Sequence, residues 1–334
     1  MRVFNQLTSS RLNIRWVTVI EHARARAVPK PWGVDDLSPW SRALAHEKAI
    51  GEIHYERSDI GAVDPSLLLK LLFTSQPLSI QVHPDDDFAH LMGLPNGKTE
   101  AWYVLSAAPE AKVALGLKRQ LTPQQLRGAI DDGSISDLIA WHPVSANDVI
   151  AVAAGTIHAI GAGLVIAEIQ QRSDVTFRLF DYGRERELHV EDAIAVASGV
   201  PVKFETRSNQ LTAERKLLVS NPYFVFERID LAPNSSWCME AERETWFLVL
   251  GGSAIAGSFD VLTGDVLFAQ SDQIDIHSGA IGITGLVAYA GGGPVPQLLQ
   301  RLAAPGLIDV EQAREIPTPT SGVQTKVSAV DAIK

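Results

Sequence analysis

The sequence predicts a mostly β protein, built as two antiparallel sandwiches or barrels with a few short helices. Three observations predict it. Apolar runs of four to eight residues recur along the chain, separated by Gly, Pro, Asn and Asp. These runs do not alternate regularly with helical segments, which argues against a doubly wound parallel sheet. Gly199-Val200-Pro201 separates a first part, strands interrupted by helices, from a second part of nearly pure strand and turn.

The elements follow in order. Strand-like runs occupy 78–83, 100–106, 112–117, 148–153, 164–170 and 175–180 in the first part, and 223–231, 245–250, 264–268 and 282–290 in the second. Helical patterns are few. Residues 65–73 read as a short helix, with Asp64 as N-cap and Pro65 at the first position. Thr122-Pro123 opens a second over 122–130 by the same logic. Segments 134–140 and 190–198 complete the set, and Asp85-Asp86-Asp87 after Pro84 reads as a turn or helix cap. The pattern decays from Leu302, so 302–334 is expected to be an exposed tail or strap.

Composition narrows the function classes. The 334 residues carry a net charge of −10, with 46% hydrophobic and 20% charged residues. That is a globular profile, not a disordered one. The acidic balance gives no electrostatic footprint for nucleic acid. No run of about 18 uncharged apolar residues suggests a membrane span. Residues 1–20 lack the apolar core of a signal peptide. A single cysteine, Cys238, excludes an internal disulfide framework and a Cys-based zinc finger, and it fits the cytoplasm. Any metal must therefore be held by imidazole, carboxylate or amide oxygen.

Three segments carry such groups. On a strand, residues i and i+2 share a face, so Gln81 and His83 project together. Glu100 opens the apolar strand Glu-Ala-Trp-Tyr-Val-Leu, where a buried carboxylate needs a partner. Ala154-Gly155-Thr156-Ile157 presents His158 beyond a glycine turn. Two imidazoles, a carboxylate and an amide oxygen suit Zn²⁺ or another divalent first-row ion. Each histidine alone would more often be an ordinary core or surface residue, and spacing does not force the four to converge. A second polar set is Asp174, Thr176 and Arg178, expected on one strand face. It is either a solvated edge or a stripe lining a barrel, where Arg178 would clamp an anion with its planar fork. Lys98, two residues before Glu100, is either an exposed loop lysine or a cation beside the metal residues. His22, His46, His54, His90, His142, His189 and His277 show no convincing partners in sequence.

In this order the segments resemble one family. They are 78–85 (Leu-Ser-Ile-Gln-Val-His-Pro-Asp), 97–105 (Gly-Lys-Thr-Glu-Ala-Trp-Tyr-Val-Leu), 154–158 (Ala-Gly-Thr-Ile-His) and 168–178 (Glu-Ile-Gln-Gln-Arg-Ser-Asp-Val-Thr-Phe-Arg). Pro31-Trp32-Gly33 and Ile50-Gly51-Glu52 add to them. The chain resembles the class I mannose-6-phosphate isomerases (phosphomannose isomerases) in their shorter bacterial form. The match is good over about residues 30–190; beyond that it rests on length and strand character.

The resemblance implies a cupin fold, the double-stranded β-helix or jelly roll, in two copies. Residues 1–200 would form the catalytic N-terminal cupin with helical insertions, 201–301 a C-terminal metal-free cupin, and 302–334 the tail. It implies His83, Glu100 and His158 as zinc ligands, with Gln81 matching a fourth ligand found in the family's longer forms. Arg178 matches the family's active-site arginine, and Asp174 and Lys98 match polar residues of its pocket. The implied reaction is the metal-dependent interconversion of mannose 6-phosphate and fructose 6-phosphate through a cis-enediol. The implied partner is a small sugar phosphate; no protein partner, nucleic acid or membrane is implied. Three departures stand out: Asn147 before Asp148 where the family has Gly, Ala153-Ala154 where it has Pro-Ala, and Arg172 where it has Asn. A sugar-phosphate-binding cupin without activity, an isomerase of another sugar, and an iron-dependent cupin oxygenase are the competing readings.

Overall fold

The computed structural model describes residues 19–41, 48–205 and 208–303. The expectations for residues 1–18, for His46 and for the tail from residue 304 lie outside the described residues. Within them the protein is mostly β, with four short helices.

The strands form three antiparallel sheets. A six-stranded sheet runs in the order Arg24–Val34, Ile50–Glu56, Leu67–Thr74, Leu164–Gln171, Glu100–Ala107, Val149–Val152. A five-stranded sheet runs Phe177–Phe180, Ile80–Val82, His158–Ile160, Lys112–Leu117, Ile139–Pro143. The two pack face to face over a core that includes Leu72, Trp102, Val104, Val113, Leu115, Ile160 and Ile166. The outer face of the five-stranded sheet is covered by helices, through Leu126, Ala129, Ile130, Ile135 and Ala193. Helix Pro123–Asp131 starts as expected, with Thr122 and Gln125 forming a reciprocal capping box.

A ten-stranded sheet holds most of the second part of the chain. Its strands enclose a core of their own, including Phe247, Val249, Ile276 and Val287. Its opposite face packs Phe224, Phe226, Trp246 and Phe268 against Ile53, Leu69, Leu71 and Phe73 of the six-stranded sheet. The strand Val19–His22 belongs to this sheet too, paired with Val266–Gln270.

The expected helix at 65–73 is instead the strand Leu67–Thr74, every residue of it buried. It lies between Ile50–Glu56 and Leu164–Gln171. Leu67, Leu69, Leu71 and Phe73 face the ten-stranded sheet, whereas Leu72 faces the inner core. A strand buried on both faces reads as a continuous apolar run, and periodicity cannot separate that from a buried helix. The helix expected over 134–140 is a single turn, Ile135–Leu138, followed at once by the strand Ile139–Pro143. The strand expected at 175–180 starts only at Phe177, so Asp174 and Thr176 do not share a strand face with Arg178.

Candidate metal centre

The register of the two facing sheets builds the site. In the six-stranded sheet Glu100 pairs with Gln170 and Val152. In the five-stranded sheet Gln81 pairs with both His158 and Arg178. Directly opposed residues project to the same side, so each row presents its side chains together. His83 follows Gln81 by two residues and points the same way. The glycines in these motifs hold the segments together. A Cβ on Gly97 would lie 2.4 Å from Asp85 C and 2.6 Å from Pro84 O, so only glycine lets the 97–100 segment pass beneath the 84–86 turn. Gly155, at φ +80°, donates its N–H to His83 O at 2.8 Å, tying the two histidine segments.

His83, Glu100 and His158 converge. One ligand atom from each lies within 4.8 Å of the others, and all three residues are buried. His83 Nε2 is 3.5 Å from Glu100 Oε2, and His158 Nε2 is 3.4 Å from Glu100 Oε1. The second ring nitrogens fix the tautomers. His83 Nδ1–H donates to Val175 O at 2.8 Å, and His158 Nδ1–H donates to Thr156 O at 2.8 Å. Both Nε2 lone pairs therefore face the carboxylate, the arrangement in which imidazoles ligate metals. Burial pushes the His83 imidazole well below its ordinary range and His158 down to about 4. Both are neutral at pH 7, as ligation requires. Neither oxygen of Glu100 has a well-oriented hydrogen-bond donor, although Lys98 Nζ lies 2.9 Å from Oε2. A buried carboxylate with two such oxygens facing two imidazole lone pairs is a poor protein interior and a good cation site. The donor set fits a divalent metal ion.

Gln81 sits beside this triad. Its Nε2–H points at His158 Nε2 at 3.3 Å, while Oε1 accepts from Ser79 Oγ at 3.2 Å. Oxygen ligation therefore requires the amide to be turned over.

Lys98 is not an exposed loop lysine. It is buried, with Nζ 3.1 Å from His83 Nε2. Burial opposes its charge, but Glu100 and Glu168 outweigh burial and hold the ammonium above its usual range. Arg178, next to Gln81 in the row, is half-buried; Nη1 donates to Glu187 O at 3.0 Å and Nε has no partner. Asp174 is exposed and lines a cavity of about 410 Å³ with Arg26, His54, Arg172 and Val175.

Sequence reading missed Lys70 and Glu168. Both are buried on the inner face, paired across strands, with Lys70 Nζ 3.7 Å from Glu168 Oε1. Trp102 Nε1 donates to Glu168 Oε2 at 3.0 Å. Burial and then Lys98 lower the Lys70 pKa, while burial and then Glu100 raise that of Glu168. The signal existed: each is a lone charge inside an apolar strand, the same reason that singled out Glu100. Several histidines without evident sequence partners do have them. His54 Nε2 meets Glu52 at 2.7 Å, His22 Nε2 lies 3.3 Å from Asp265, and His142 stacks on Phe204.

Comparison with known proteins follows this geometry. No family model matches the chain. It is 40% identical over 166 residues to mannose-6-phosphate isomerase of Streptococcus mutans, covering 47% of this chain and 52% of that one. It is 31% identical over 236 residues to mannose-6-phosphate isomerase ManA of Bacillus subtilis, covering 67% of this chain and 72% of that one. Among solved structures, mannose 6-phosphate isomerase from B. subtilis superposes with a TM-score of 0.71 at 22% identity, over 80% of this chain and 98% of the other. A putative mannosephosphate isomerase from Archaeoglobus fulgidus gives 0.64 at 16%, over 83% and 99%. The extent and identity of the ManA match, on top of the shared fold and the converged triad, place the chain in the mannose-6-phosphate isomerase family.

Proposed function

We propose that the protein interconverts mannose 6-phosphate and fructose 6-phosphate, using a divalent ion held by His83, Glu100, His158 and the Gln81 amide oxygen. The observation that carries this reading is the convergence of two neutral imidazoles on the buried Glu100 carboxylate, in a chain of this family. The family's named activity, taken from relatives covered over 52% and 72% of their lengths, supports the substrate. Imidazole, carboxylate and amide donors favour zinc. The ion, when bound, supplies Lewis-acid polarisation of the sugar's carbonyl and hydroxyl oxygens.

The chain's own residues do the rest. Isomerisation moves a proton between C1 and C2 through a cis-enediol and shifts hydroxyl protons. Arg178, with its unpartnered Nε, offers donors to the enediolate oxygens as negative charge develops. Lys98 remains an ammonium and adds positive charge beside the same oxygens. Asp174 at the cavity rim accepts from sugar hydroxyls and orients the ring. Burial of the triad excludes bulk water, which strengthens each of these contacts.

The same reading divides the chain into a catalytic cupin copy over 1–200, a metal-free copy over 201–301 and a tail over 302–334. Among the described residues, no second cluster of three metal-ligating groups accompanies His83, Glu100 and His158. The later sheet buries an ion pair, Arg215 gripping Glu227 through two contacts of 2.8 Å. A cytoplasmic location suits the single cysteine. No helix among the described residues is long and apolar enough to cross a membrane.

The test is turnover. Zinc-loaded protein should form mannose 6-phosphate from fructose 6-phosphate in a coupled assay, and chelation should abolish it. No turnover with zinc, manganese, cobalt or magnesium removes this reading.

A further inference from the structure

Asp86 has no part in the mechanism above, yet two separate parts of the chain meet on its carboxylate. It opens helix Asp86–Leu91, three residues beyond His83. Its Oδ1 accepts from Gly97 N at 2.8 Å and from Gln171 Nε2 at 2.9 Å. Gly97 leads directly into Lys98 and Glu100. Gln171 ends the strand that carries Glu168 and Gln170.

Gln171 then grips the ligand segment a second time. Its backbone N–H donates to Thr99 O at 3.1 Å, and its Oε1 accepts from Thr99 N at 2.9 Å. Thr99 lies between Lys98 and Glu100. The orientation of this amide is settled by its partners, because turning it over would set an oxygen against Asp86 and an N–H against the Thr99 N–H. Lys98 N donates to Pro84 O at 2.9 Å, closing the loop back to Asp86. The segment that holds Glu100 and Lys98 is thus held by backbone contacts whose side-chain anchor is one carboxylate.

We infer that Asp86 is a positioning residue: through Gly97 and Gln171 it fixes Lys98 and Glu100 against His83. The activity arm of the test rests on the isomerase reading; the metal arm does not. Small displacements of such groups are costly, since a misplacement of about 1 Å can lower a rate about 100-fold.

The experiment measures zinc affinity by chelator competition, and kcat and KM of the zinc-loaded protein on mannose 6-phosphate. The variants are Asp86→Ala, Asp86→Asn and Gln171→Met, each first checked for a cooperative melt. Asp86→Ala should weaken zinc binding about 10-fold and lower kcat at least about 10-fold, with KM within about threefold. Asp86→Asn keeps an oxygen for Gly97 N and Gln171 Nε2, and should recover most of both losses. Gln171→Met should lower both by at least about threefold, since two hydrogen bonds of its amide are lost. Folded Asp86→Ala with wild-type zinc affinity and kcat overturns the inference, as does Asp86→Asn no better than Asp86→Ala. If Asp86→Ala does not fold, Gln171→Met, which removes the amide contacts to Asp86 and Thr99 N, decides, and an unchanged zinc affinity and kcat overturns the inference. Wild-type protein that binds zinc but turns over no sugar phosphate defeats the isomerase reading, and the zinc arm still judges Asp86.

Discussion

His158 turns its Nε2 toward Glu100 Oε1 at 3.4 Å, while its Nδ1–H is spent on Thr156 O at 2.8 Å. The pair comes from different sheets and from positions 58 apart in the chain. The Thr156 carbonyl, 2.8 Å from Nδ1, decides which nitrogen is free. That choice, repeated at His83 through Val175 O, is what makes the pocket a cation site.

Replacing His158 by Ala removes one of those lone pairs and leaves Glu100 no less buried. Zinc affinity should fall on the order of 100-fold or more, with activity lost in parallel. Metal analysis after gel filtration checks it; stoichiometric zinc retained by the variant excludes His158 as a ligand.

The metal-free protein should lose stability in mild acid. Folding lowers the His158 pKa from 6.5 to about 4 by burial, and lowers His83 in the same direction. Between those values the unfolded chain binds the proton and the folded one does not. The contribution is thus fully present above about pH 6.5 and is lost as pH falls toward 4, roughly 3 kcal/mol for His158 alone. Urea melts of the apo protein across that window test it, and a flat midpoint contradicts it.

The structure makes the glycine of Gly97-Lys98-Thr99-Glu100 a steric requirement. Gly97→Ala places a methyl 2.4 Å from Asp85 C, so backbone must move. A stability loss of about 1–3 kcal/mol is expected, with weaker zinc binding. Thermal melts and chelator competition on the variant read both effects.

Arg178→Lys keeps the charge and discards the planar fork. If Arg178 donates to the enediolate, kcat should drop about 100-fold while zinc content stays whole. Wild-type kcat in this variant would leave Arg178 only its contact with Glu187 O.

Most of the strands were legible because punctuation and apolar runs coincide. Leu67–Thr74 was misread because an Asp-Pro cap signal preceded an apolar run that is buried on both faces. The ligand residues were visible as chemistry, yet their meeting was not. Gln81 and His158 become neighbours only through the pairing of Ile80–Val82 with His158–Ile160. Arg178 kept its place in that row, whereas Asp174 did not, since the strand begins after it. Lys70 lies in the run that the sequence predicts as a helix, and only the strand register pairs it with Glu168. The departure at Asn147 also became intelligible only in the fold. It sits at φ +76°, where glycine is usual, and its Oδ1 accepts from Tyr103 and Arg228.

The most direct test is anomalous diffraction at the zinc edge from crystals grown with zinc. The expected result is one peak about 2.0–2.2 Å from His83 Nε2, His158 Nε2 and a Glu100 oxygen, with the Gln81 amide turned to present its oxygen. A peak elsewhere, or none at saturating zinc with these side chains still as they lie in the apo arrangement, would contradict the metal centre.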